Sequence, residues 1–134
     1  MAQLLPQHDG MLPYFLLMTS SLAIAHTVVC YISSPVVSTA QFQGPSAPAP
    51  SGLLARVYGV KNFYTAMIRG YAAYRISNSD VYALAMLTYV GVFFLYSTEL
   101  LLYRTSRPHE VLTSLMMSSV GLAWMYTERD FYVH

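Results

Sequence analysis

Residues 81–102 read VYALAMLTYVGVFFLYSTELLL, and this stretch decides the fold. A helix rises about 1.5 Å per residue and a bilayer's hydrocarbon core is about 30 Å thick, so a segment of this length spans the core as one helix. Its only formal charge is Glu99. The turn Ser77-Asn78-Ser79-Asp80 leads into it, and a short loop holding Arg104, Arg107 and Pro108 follows.

Three further segments flank it. Residues 14–32 carry no charged side chain, with Pro13 at their start and Ser33, Ser34 and Pro35 at their end. Residues 53–76 are apolar but hold Arg56, Lys61, Arg69 and Arg75 without an acid. Residues 111–126 are shorter and finish at Trp124 and Tyr126, which suit a membrane interface. Residues 33–52, with Pro35, Pro45, Pro48 and Pro50, read as a solvated Pro/Ser-rich loop. Residues 1–10 contain no Lys or Arg and no small-x-small cleavage site follows, so the first apolar segment reads as a span rather than a cleaved signal.

Composition points the same way. Of 134 residues 55% are apolar or aromatic and 10% are charged, against about 25% charged in a soluble domain. A water-soluble fold of this size would lack the charge to cover its surface. The net charge of +1, without a like-charge run, excludes a nucleic-acid binder. Short loops make neighbouring helices antiparallel, so the expected architecture is an all-α, integral membrane four-helix bundle forming one domain over residues 1–134. Both termini then share a side. Arginines divide almost evenly between the two faces, which leaves the orientation open.

Charges within apolar segments need partners or a task. Arg56 lies 22 residues before Asn78 and Glu99 lies 21 after it, which puts them at nearly equal height in a hairpin. Glu99 is therefore expected to pair with Arg56, with Lys61 one helical turn away also in reach. The structural reading is an ion pair fixing helix packing; the catalytic reading is a buried general acid or base. Arg69, opposite Leu87, has no acidic mate, which suits a partner protein, a lipid headgroup or a water-filled pocket, with snorkelling as the plain account.

Tyr82, Tyr89, Tyr96 and Tyr103 recur every seventh residue and so share a helix face. Hydroxyls bonding across helices, or a substrate-lining wall, would each use that stripe. Small residues four apart, such as Ala55 with Gly59 and Ala66 with Gly70, favour close helix contacts within the bundle or in a homo-oligomer. His26 and Cys30 are two potential ligands without a third, so no metal or cofactor is expected. His8-Asp9 and His109-Glu110 are terminal or loop pairs, and no catalytic triad or phosphate loop is present.

The order of these features resembles the ergosterol biosynthetic protein 28 family. The resemblance rests on Leu5-Pro6-Gln7-His8-Asp9-Gly10; on Ala55-Arg56 with Gly59 and Arg69; on Ser97-Thr98-Glu99-Leu100 followed by Tyr103-Arg104-Thr105; and on Leu122-Ala123-Trp124-Met125-Tyr126 with Asp130-Phe131-Tyr132. It implies a multi-pass membrane protein of the endoplasmic reticulum, in contact with membrane lipids and acting in ergosterol biosynthesis. Its implied role is a non-catalytic scaffold tethering the sterol C-4 methyl oxidase, the C-3 dehydrogenase/decarboxylase and the 3-keto reductase, with sterol C-24 methyltransferase as a further partner. Arg56, Gly59, Arg69, Tyr96, Glu99, Tyr103 and Trp124 are then the partner-binding or structural positions. Val57 and Lys61 stand where the family carries Thr and Trp, and Leu95-Tyr96 where it carries His-Phe, which points to a divergent copy, serving the sterol pathway or a related isoprenoid one. Lys61 near Glu99 gives the alternative: a small membrane isomerase or cyclase acting on a hydrophobic polycycle.

Overall fold

The computed structural model describes residues 10–133, the Glu110 side chain excepted, so the residues before Gly10 in the Leu5–Gly10 motif, and with them His8-Asp9, lie outside the described residues. The described chain is helical, with no strand: α1 (Leu12–Ile32), α2 (Pro35–Ser38), a 3₁₀ turn (Ala40–Phe42), α3 (Gly52–Tyr74), α4 (Ser79–Leu101), α5 (Pro108–Thr127) and α6 (Arg129–Tyr132).

Local chemistry sets these boundaries. Asn78 caps α4, its Oδ1 accepting from the amides of Asp80 at 3.0 Å and Val81 at 3.1 Å. Ser51 caps α3 through its hydroxyl, which accepts from Leu54 N at 3.3 Å. Prolines sit in the first turns of α1, α2 and α5, where a missing N–H costs no helical bond. Past α4 the chain turns sharply, with Arg104 at φ 56°. The amides of Thr105 and Ser106 return to the Glu99 carbonyl.

Neighbouring long helices run antiparallel. The Thr27 hydroxyl donates to Gly59 O at 3.0 Å and the Ser20 hydroxyl to Ala66 O at 2.7 Å, so α1 descends as α3 ascends. A Cβ on Gly59 would stand 3.0 Å from the Cys30 Cβ, so the missing side chain is what lets the two backbones close up. The small-residue spacing of α3 thus serves a seam inside the chain. Helix α3 also lies against α4, and α4 against α5, whereas α1 and α5 touch only lightly.

Two apolar clusters fill opposite ends. One gathers Leu12, Leu16, Ala72, Tyr82, Tyr89, Met125 and Tyr132. The other gathers Cys30, Tyr58, Val92, Tyr96 and Val111. The amide of Leu12 donates to the Tyr132 hydroxyl at 3.2 Å, which brings the two ends of the described chain together.

Residues 33–52 depart from the solvated loop expected of them. Prolines prevent one long helix but permit short turns, and Ser38 and Thr39 are fully buried. Phe42 anchors the segment, its ring 5.2 Å from that of Tyr58 and 5.8 Å from that of Tyr96. Amides of Gly44 and Ser46 donate to the carbonyls of Thr105 at 2.8 Å and Arg104 at 3.0 Å. The segment is a cap laid across the α4–α5 turn.

Helices α1 and α4 are each long and apolar enough to cross a membrane. Within the chain only 22% of each apolar window is buried, and Leu53, Leu87, Phe94, Leu101 and Met116 are exposed.

Candidate functional site

Between the two apolar clusters lies a half-open cavity of about 280 Å³. Its wall is apolar over most of its area but carries a set of polar side chains: Lys61, Asn62, Thr65 and Arg69 from α3, Thr19 and His26 of α1, Tyr89 and Tyr96 of α4, Ser114 and Ser118 of α5, and Gln41 of the cap. On α3 the positions 58, 62, 65 and 69 recur at helical spacing, which places their side chains on one face.

Arg69 is buried and held from two sides. Its Nε donates to the Thr88 hydroxyl at 2.9 Å, and its guanidinium carbon lies 4.1 Å from the centroid of the Tyr89 ring. The Lys61 ammonium donates to Asn62 Oδ1 at 3.3 Å and stands 5.1 Å from the Tyr58 ring centroid. These partners are neutral, and no carboxylate among the described residues lines the cavity. Gln41 Oε1 is buried without a hydrogen-bond partner.

The tyrosine stripe divides at its end. Tyr82 donates to the Met125 carbonyl on α5 at 2.7 Å, Tyr89 exchanges a hydrogen bond with Thr19 on α1 at 2.8 Å, and Tyr96 bonds Tyr58 on α3. One face of α4 therefore ties down all three long neighbours. Tyr103 does not belong to this seam, because α4 has ended at Leu101 and its side chain is 62% exposed.

The expected ion pairs of Glu99 are not formed among the described residues. The Thr105 hydroxyl donates to the Glu99 carboxylate, the Lys61 ammonium faces Asn62, and the Arg56 guanidinium folds back over Gly52. Equal height was the right inference for the helices and the wrong one for the side chains: helix α4 turns Glu99 toward its own C-terminal loop. Lys61 and Glu99 are consequently not brought together in the cavity, which Glu99 does not line.

The remaining sequence candidates have plain placements. Arg56 is exposed and Gly59 lies in the α1–α3 seam. Trp124 is half-buried against Phe15, ring centroids 5.5 Å apart. His26 bonds the Ser38 carbonyl through Nε2 at 3.1 Å and meets the Tyr58 ring edge-on. Thr19, Asn62, Thr65 and Gln41 were missed as wall residues. The α3 set could have been found from its spacing around Arg69, whereas the others depend on which helices meet.

Comparison with known proteins gives a consistent relationship. Residues 12–123 match the family model described as Erg28 like protein. The chain is 32% identical over 128 residues to ergosterol biosynthetic protein 28 of Candida albicans, covering 95% of this chain and 91% of that relative. It is 27% identical to the protein of the same name from Saccharomyces cerevisiae, over 92% of this chain and 83% of the relative. For the Schizosaccharomyces pombe protein the identity is 35%, over 59% of each chain. No solved structure matches the chain.

Proposed function

The chain belongs to the Erg28 like protein family, and from that membership we propose that it is a four-span membrane scaffold of the endoplasmic reticulum acting in ergosterol biosynthesis. In this reading α1, α3, α4 and α5 cross the bilayer as one four-helix bundle and one domain, and tether the sterol C-4 methyl oxidase, the C-3 dehydrogenase/decarboxylase, the 3-keto reductase and sterol C-24 methyltransferase. The carrying observation is that the family match runs from the start of α1 into the last turns of α5.

Physical features support the membrane part. A helix in a water-soluble core is mostly buried by its own chain, whereas only 22% of the apolar window of α1 and of α4 is buried. That much contiguous exposed apolar surface favours lipid or partner helices over water. The charges of α3 are compatible with such a setting, since Arg69 and Lys61 turn inward and Arg56 lies within its first turns.

A scaffold requires no chemistry of its own. Holding successive enzymes in one membrane patch raises their effective concentration for one another, so each intermediate is transferred locally. Separation of Glu99 from Lys61 fits that role. The exposed Arg56 and Tyr103, at the end carrying the cap, are the positions offered to partners.

Detergent-solubilised full-length protein should capture the four enzymes on affinity purification, and Arg56→Glu with Tyr103→Ala should reduce their yield severalfold while the helical content stays unchanged. Recovery of none of them by the unaltered protein refutes the scaffold.

A further inference from the structure

We propose that the cavity is a binding site for the oxyanion head of a membrane amphiphile, a carboxylate or phosphate on an apolar tail, held between Lys61 and Arg69 with the tail leaving between α1 and α5. The proposal rests on the membrane placement above but requires none of the enzyme partners.

The first argument is charge. Two cationic side chains share a wall to which no described residue contributes an acid, and their fixed neighbours, Asn62, Thr88 and two tyrosine rings, are neutral. Burial of unneutralised cations away from water is unfavourable, and two on one surface also repel. An anion between them relieves both effects. Lys61 and Arg69 are eight residues apart, about 12 Å along the helix, and both side chains are long enough to turn toward one headgroup.

The second argument is hydrogen bonding. The side-chain amides of Asn62 and Gln41 line the same space, and an amide nitrogen donates to an oxyanion without adding charge.

The third argument is shape. The volume is about twice the roughly 150 Å³ that accepts benzene, and falls just below the roughly 300–1,000 Å³ of sites that enclose a drug-sized ligand. It therefore takes a headgroup and the first carbons of a tail and leaves the rest outside. Helices α1 and α5 touch only lightly, and the wall there becomes apolar through Leu22, Ala23 and Met117. That edge faces lipid in the proposed topology.

The test uses the purified full-length protein in phosphatidylcholine nanodiscs, with binding followed by native mass spectrometry and by thermal shift. Oleate or dioleoyl phosphatidic acid should bind saturably, and which of them binds more tightly identifies the head as carboxylate or phosphate. Oleyl alcohol, which keeps the tail and lacks the charge, should bind at least tenfold more weakly to the unaltered protein. Lys61→Met should weaken the anionic ligand at least tenfold, Lys61→Arg should retain it, and Arg75→Gln, on an exposed side chain outside the cavity, should leave it unchanged. Equal binding of oleyl alcohol and oleate, tight binding of inorganic phosphate alone, or no saturable binding of either anionic amphiphile overturns the proposal. Because the assay contains no enzyme, its failure leaves the co-purification result standing, and the reverse also holds.

Discussion

The guanidinium of Arg69 lies 4.1 Å from the centroid of the Tyr89 ring, so a buried cation of α3 is held on the aromatic face of α4. The contact explains how Arg69 is accommodated without an acid: Tyr89 offers the negative face of its ring and Thr88 an oxygen. Replacement by Lys keeps the charge but loses the planar stacking and the Nε bond, and replacement by Ala also loses packing. We expect Arg69→Ala to lower stability by about 1–3 kcal/mol and Arg69→Lys by about half as much, measured by thermal unfolding in detergent.

Gly59 sets the distance between α1 and α3. A Cβ there would lie 3.0 Å from Cys30 Cβ and 3.2 Å from the Tyr31 ring. Gly59→Leu must push the helices apart and break the Thr27–Gly59 bond, at a cost of about 1–3 kcal/mol. Chemical denaturation in mixed micelles measures it; a variant as stable as the parent would show that the seam opens freely.

The cap depends on Gly44, whose Cβ would stand 2.7 Å from Arg104 O and 2.8 Å from the backbone of Ser106. Those are backbone atoms and cannot swing aside. Gly44→Val should detach residues 33–52 from the α4–α5 turn while leaving the long helices intact. Limited proteolysis should then cut within the cap at least several times faster, with circular dichroism unchanged.

Glu99→Gln separates the observed contact from the expected one. A carboxamide oxygen still accepts from Thr105, so a loss below about 1 kcal/mol is expected, whereas breaking a buried ion pair with Arg56 or Lys61 would cost about 3–5 kcal/mol. Thermal unfolding of the variant distinguishes the two.

Cross-helix hydroxyls of the α4 stripe should each contribute modestly. Tyr82→Phe removes the donor to Met125 O and Tyr89→Phe the partner of Thr19, and each should cost about 0.6 kcal/mol, with at most about 1.7. Tyr103→Phe, on an exposed side chain, should cost nothing measurable.

Much of the helical layout was legible in the sequence. The segments 14–32, 53–76, 81–102 and 111–126 correspond to Leu12–Ile32, Gly52–Tyr74, Ser79–Leu101 and Pro108–Thr127, because apolar runs between proline, serine and asparagine signals define helices locally. The seven-residue tyrosine repeat held for Tyr82, Tyr89 and Tyr96, where α4 continues, and failed at Tyr103, where a turn rather than periodicity governs. Counting from the Asn78 turn puts Arg69 opposite Leu87, one residue short of the Thr88 that it bonds, since depth in a hairpin follows from helical rise alone.

By itself the sequence determined that this is a helical chain rich in long apolar segments, with its cations concentrated in one of them and its family written in scattered short motifs. Those are properties of composition and period, which depend only on near neighbours in the chain. The tertiary structure alone decided that Glu99 turns away from Lys61, that the Pro/Ser-rich segment closes over the helices, and that Lys61 and Arg69 share a cavity lined by no described carboxylate. Each of those depends on how helices rotate about their axes and which faces meet, and a helix can rotate without changing its length, depth or hydropathy.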